Sequence, residues 1–142
     1  MKLRRVVLLF GVLISACLSY AQGRLDFNKI KAEAHDFIIK EATLTSQEAA
    51  RFFPVYDEMK TKQRVFFEKL RAIHSSKPTT EGEAYKRIEQ ADAYEIKLKQ
   101  IEEHYHKKML KTISATKLLQ ILEAERRFHR QMFKKMARNG KR

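Results

Sequence analysis

Apolar residues recur along most of this chain at spacings of three and four positions, which is the period of an amphipathic α-helix. Between residues 24 and 139, only Pro54, Pro78 and Gly82 are strong helix breakers. No segment shows sustained alternation of apolar and polar residues rich in β-branched side chains. The pattern therefore predicts an all-α fold of four helices, over about residues 26–41, 46–73, 81–112 and 115–138.

The apolar stripes of these helices predict which side chains face the core. The second helix carries apolar residues at spacings of four and three, with polar Gln63 inside the stripe. Pro54 removes one backbone hydrogen bond there, so a bend is predicted. The stripes of the third and fourth helices run through Ile88 and Met136. Because narrow stripes on long helices rarely bury everything in one small chain, the pattern also predicts a homodimer.

A short motif marks the start of the second helix. Thr45 and Glu48 have the spacing of a capping box, and Leu44 stands where a hydrophobic staple residue would. A weaker copy begins at Ile113, where Ser114 is the predicted cap of the fourth helix. The short connections at residues 42–45 and 112–114 predict antiparallel helix pairs or sharp bends.

Two details extend this capping pattern. Lys117 occupies in the second copy the position that Glu48 holds in the first, so that copy keeps only half of the box. Thr80 and Glu83 form another predicted capping box, which starts the third helix near Glu81.

The first 21 residues have the features of a secretory signal peptide. A positive segment precedes apolar residues 6–14, and small residues precede a predicted cleavage after Ala21. Residues 14–17 also resemble a bacterial lipobox, so lipidation at Cys17 is the alternative. No second apolar stretch of membrane-spanning length follows. The prediction is one exported helical domain, residues 22–142, with a basic C-terminal tail.

The layout of signal, short helix, motif, long helix, loop, long helix, second motif and last helix resembles the Spy/CpxP family of small envelope proteins. The phrase Leu44-Thr45-x-x-Glu48 is similar to that family's Leu-Thr-x-x-Gln motif, and residues 48–56 resemble its Bacteroidetes-type version. The resemblance implies a periplasmic location and a bent, cradle-like antiparallel dimer. It also implies either ATP-independent chaperone activity or contact with an envelope sensor, while other relatives bind or sense metals.

The net charge restricts the classes of partner that this chain could bind. The formal net charge is +13, and loss of the three signal-peptide cations leaves +10. Export argues against nucleic acid, which leaves anionic membrane surfaces, envelope polymers, and acidic or unfolded proteins. Membrane contact is expected only through lipidated Cys17 or the basic tail. The side chains predicted to contact clients or a sensor or anti-sigma protein are Phe52, Phe53, Tyr56, Phe128, Met132, Phe133, Arg126, Arg127, Arg130 and Lys134.

Catalytic chemistry is not predicted. The sequence has no nucleophile elbow and no phosphate-binding glycine loop, so the chain is not expected to be an enzyme. Glu102 and His106 lie one helical turn apart and could share a divalent metal such as zinc, nickel or copper. Chaperone or signalling adaptor is the leading hypothesis, with a metal sensor as the alternative, and no cofactor other than such a metal is expected.

Overall fold

A computed structural model describes residues 28–139 of the chain. Helix α1 covers residues 28–41, and it is followed by α2 (Ser46–Ser75), α3 (Glu81–Met109) and α4 (Ala115–Asn139). The described residues contain no strand, so the all-α prediction with four helices is confirmed. Within them, no helix is long and apolar enough to cross a membrane. The predicted signal peptide, Cys17 and the last residues of the basic tail lie outside the described range.

The predicted capping box at the start of α2 is confirmed in both directions. The Thr45 hydroxyl accepts a hydrogen bond from the Glu48 N–H at 3.1 Å, and the Glu48 carboxylate accepts from the Thr45 N–H at 2.8 Å. That backbone hydrogen bond holds the pKa of Glu48 below its usual value. Two helix-terminal N–H groups are therefore satisfied where the chain turns out of α1.

The predicted box at α3 forms only in part. Thr80 caps the helix and accepts from the Glu83 N–H at 3.2 Å. The Glu83 carboxylate instead accepts from the N–H and hydroxyl of Thr79, at 2.8 and 2.9 Å, so the reciprocal half of this box was wrong. The predicted end of the helix at residue 112 was also late, because α3 ends at Met109 and a turn closed by Thr112 follows.

The hydrophobic core lies at the end of the molecule where the two motifs meet. It draws side chains from all four helices and from both motifs, including Leu44 and Ile113. Its buried members are Ile38, Ala42, Leu44, Phe52, Tyr56, Met59, Tyr105, Met109, Ile113, Leu118, Ile121 and Ala124. Fully burying a large apolar side chain is worth about 1.5–3 kcal/mol, so burial in this cluster is a large source of stabilisation.

From the core outwards, α2 and α3 form an antiparallel hairpin. Glu58 accepts a hydrogen bond from Tyr105, and further along Phe66 of α2 packs against Tyr94 of α3. No residue between 64 and 97 is buried, and we call this part the hairpin arm. A helix with a single neighbour covers a narrow arc, which is why Ile88 is exposed although its stripe predicted a core position.

Candidate partner-binding surface

The structure divides the predicted partner-binding residues into a buried and an exposed group. Phe52, Tyr56 and Phe128 are buried, so they support the surface from below and are not accessible on it. Phe53 is half-buried and stacks on His35 with ring centroids 3.9 Å apart. The accessible part of the predicted surface is therefore the last part of α4.

The C-terminal half of α4 presents a row of cations next to apolar side chains. We call residues 126–138 the α4 end. Arg126, Arg130, Lys134 and Arg138 follow one another at intervals of four, so they lie within about 120° of the helix circumference. Phe133 and Met136 are exposed beside this row, and Met132 is half-buried.

Most cations of the α4 end have no ion-pair partner among residues 28–139. Arg127 is the exception, since its guanidinium binds the Glu41 carboxylate of α1 at 2.8 Å. Within residues 28–139, no carboxylate forms an ion pair with the four cations of the row. Like charges at i,i+4 destabilise a helix by a few tenths of a kcal/mol per pair. The row therefore weakens α4 and creates a strong positive potential.

A second exposed face, on α3, was not predicted. Tyr85, Ile88 and Ile96 are exposed in the hairpin arm, within about 120° of the circumference of α3. Four carboxylates share this arc and form no ion pair within the described residues: Glu81, Glu89, Asp92 and Glu95. We call these seven residues the α3 outer face. Residues 81–95 hold five acidic side chains against two basic ones, a signal that was readable in the sequence.

Glu125 anchors α4 to α2 beneath the α4 end. Its carboxylate accepts a hydrogen bond from the Tyr56 hydroxyl at 2.9 Å, pairs with Lys60, and lies 3.4 Å from the His129 ring. Burial alone would raise the pKa of Glu125, but hydrogen bonds and charge from His129, Lys60 and Tyr56 hold it at about 2. Burial also raises the pKa of Tyr56. This cluster fixes the position from which the α4 end projects.

Lys117 of the second motif contacts the end of α1, just before the first motif. Ser114 caps α4 and accepts from the Lys117 N–H at 3.2 Å, as predicted. The Lys117 ammonium then donates to the carbonyls of Ala42 and Thr43, at 3.0 and 3.2 Å. Thr43 has a φ of 47°, in the left-handed region at the end of α1. The lysine that weakens the second copy as a capping box therefore satisfies carbonyls at the end of α1.

Glu102 and His106 lie one turn apart on α3, as the metal hypothesis requires. Glu102 already accepts hydrogen bonds from Gln63 at 3.2 Å and from Lys99 at 2.7 Å. Among the described residues, no group of three or more His, Cys, Asp or Glu side chains could hold an ion together. The geometry offers at most a two-residue site, and metal binding stays a prediction.

Comparisons of this chain with protein-family models, with curated proteins and with solved structures gave no match.

Proposed function

We propose that this protein is a periplasmic, ATP-independent chaperone, or an envelope-stress adaptor of similar design, that binds unfolded or sensor proteins through apolar and basic helix faces. The α4 end carries the proposal, because exposed Phe133 and Met136 lie beside four cations without acidic partners in the described chain. Apolar contact supplies affinity for exposed segments of a client, and the cations attract acidic ones. Methionine repacks easily against different partners, which suits a binder of many sequences.

The rest of the molecule is suited to act as a scaffold that holds this surface. Paired helix caps and the Glu125 cluster hold α4 in place, and the hydroxyls of the two motif caps, Thr45 and Ser114, are engaged in hydrogen bonds to backbone N–H groups. The signal-peptide pattern and the Spy/CpxP resemblance support a location outside the cytoplasm. The homodimer, with the cradle-like arrangement that the resemblance implies, belongs to the proposal as the state of the protein without a bound client.

An aggregation assay tests the chaperone proposal. A chemically denatured acidic enzyme is diluted into a solution of the purified protein without ATP, and its aggregation is followed by light scattering. We expect suppression near a one-to-one ratio and its loss at about 0.5 M NaCl, where the Debye length falls to a few ångströms. The double variant Arg130→Glu with Lys134→Glu should lose suppression.

The matched control is Lys77→Glu with Lys111→Glu, which makes the same change of net charge at exposed loop positions. This control should suppress aggregation like the wild type. No suppression at a several-fold excess of the wild-type protein, together with capture of one specific envelope protein by affinity purification, would favour the adaptor form and exclude a general chaperone.

A further inference from the structure

The two exposed faces of this chain carry opposite charge and similar apolar content. We propose that the α4 end of one copy binds the α3 outer face of a second copy. The α4 end has a row of four cations, and the α3 outer face has four carboxylates, all exposed and without ion-pair partners within residues 28–139. Both charge sets are therefore available to each other between copies.

The two faces also match in length. The cation row from Arg126 to Arg138 extends about 18 Å along its helix, and the carboxylates from Glu81 to Glu95 extend about 21 Å. Two helices packed side by side could thus bring the charges opposite one another along most of the contact. Such pairing would offset the like-charge repulsion within each row.

The apolar residues between the charges supply a site for docking. Phe67 of α2 and Ile96 of α3 line an open groove. Its charged lining residues, which we call its rim, are four acidic side chains and one cation: Asp92, Glu95, Glu102, Glu103 and Lys99. Phe133 of the α4 end is exposed and lies one residue from Lys134. We infer that Phe133 of one copy packs into this groove while neighbouring cations meet the acidic rim. Aromatic side chains with adjacent charges are typical anchors of protein interfaces.

A second copy of the chain would bind both charged faces, whereas a lipid surface would bind only one. An anionic membrane would attract the α4 end but would leave the acidic α3 outer face without a partner. Each copy offers both faces, so two copies related by a two-fold axis would form two equivalent contacts and close into a dimer.

The pairing has a consequence for the proposed function, and this step alone rests on it. Because the α4 end is also the proposed client surface, self-association and client binding would compete. Dimers would then be a storage form, and clients would shift the population towards monomers.

Sedimentation equilibrium on the full chain at micromolar concentration tests the pairing. The α4 variant is Arg130→Glu with Lys134→Glu, and the α3 variant is Glu89→Lys with Asp92→Lys. The wild type should have twice the monomer mass at about 50 mM NaCl and shift towards monomer at about 0.5 M. Each variant alone should bind itself at least about tenfold more weakly, since its contacts place like charges together.

An equimolar mixture of the two variants gives the decisive measurement. Both contacts of the mixed pair again join opposite charges, so a heterodimer should form although each variant alone is monomeric. Circular dichroism checks folding, and the α4 variant places glutamates four residues from Arg126 and Arg138, which favours the helix. Lys77→Glu with Lys111→Glu is the charge-matched control and should dimerise like the wild type.

Three results would overturn the pairing: a wild type that is monomeric in low salt, variants that dimerise as the wild type does, or a folded mixture that stays monomeric. Monomeric wild type that floats with phosphatidylglycerol vesicles, but not when the α4 end is reversed, would assign this face to lipid instead. An α3 variant that is monomeric but no better at suppressing aggregation would refute only the competition with clients.

Discussion

Replacing Glu125 by glutamine should destabilise the protein more than any other single change of charge described above. The side chain is only 12% exposed and carries the link between α4 and α2, through Tyr56 and Lys60. Its pKa falls from 4.5 to about 2 on folding, and 1.36 kcal/mol per pKa unit converts this to about 3 kcal/mol of stability at neutral pH. Removing one partner of a buried ion pair costs a similar amount, about 3–5 kcal/mol.

The stabilisation by Glu125 should depend on pH in a defined direction. Because the folded pKa is the lower one, the stabilisation is fully present above pH 4.5 and is lost as the pH falls towards 2. Urea unfolding of the wild type and Glu125→Gln should therefore differ by about 3 kcal/mol at pH 7, and the difference should shrink below pH 4.5. Glu103→Gln is the control, since Glu103 forms an exposed i,i+4 pair with Lys107, and its loss should leave the stability nearly unchanged. Equal stability of wild type and Glu125→Gln, or a difference that persists unchanged near pH 2, would refute the reasoning.

Three further substitutions test the helix junctions and the hairpin by urea or thermal unfolding. Thr45→Ala removes the α2 cap and should cost about 1 kcal/mol, while an unchanged melting temperature would contradict the cap's role. Lys117→Met should cost about 1–2 kcal/mol through its two carbonyl contacts, and the exposed control Lys111→Met should be neutral. Gln63 is buried and its Oε1 has no partner in the described chain. Gln63→Met removes this unsatisfied oxygen but also the Nε2 hydrogen bond to Glu102, which keeps Lys99 as a donor, so stability should change by less than about 1 kcal/mol. A clearly larger loss would show that Oε1 is satisfied.

Local features of the fold could be predicted from the sequence because their causes are local. The cap at Thr45 depends on residues within one helical turn, and Gln63 lies in the α2 stripe at a position that periodicity assigns to the interface. Periodicity does not reveal whether a neighbouring helix covers a stripe. Ile88 and Met136 share stripes with core residues and are nevertheless exposed.

Contacts between distant parts of the chain could not be predicted in this way. Lys117 binds the carbonyl of Ala42, 75 residues earlier, and Glu125 accepts from Tyr56, 69 residues earlier. Both contacts depend on how α4 crosses the first two helices, which no local pattern encodes. The same limit applies to the surface, where burial removed Phe52, Tyr56 and Phe128 from the predicted set of accessible contacts.

The central claim is that the exposed face of α4 binds clients while the caps only support it. Suppression of client aggregation should therefore be measured for Thr45→Ala and for Arg130→Glu with Lys134→Glu, each below its own melting temperature. We predict that Thr45→Ala melts earlier but suppresses aggregation like the wild type, and that the α4 variant melts normally but does not suppress. Loss of suppression in Thr45→Ala at an unchanged melting temperature, with full suppression by the α4 variant, would contradict the account.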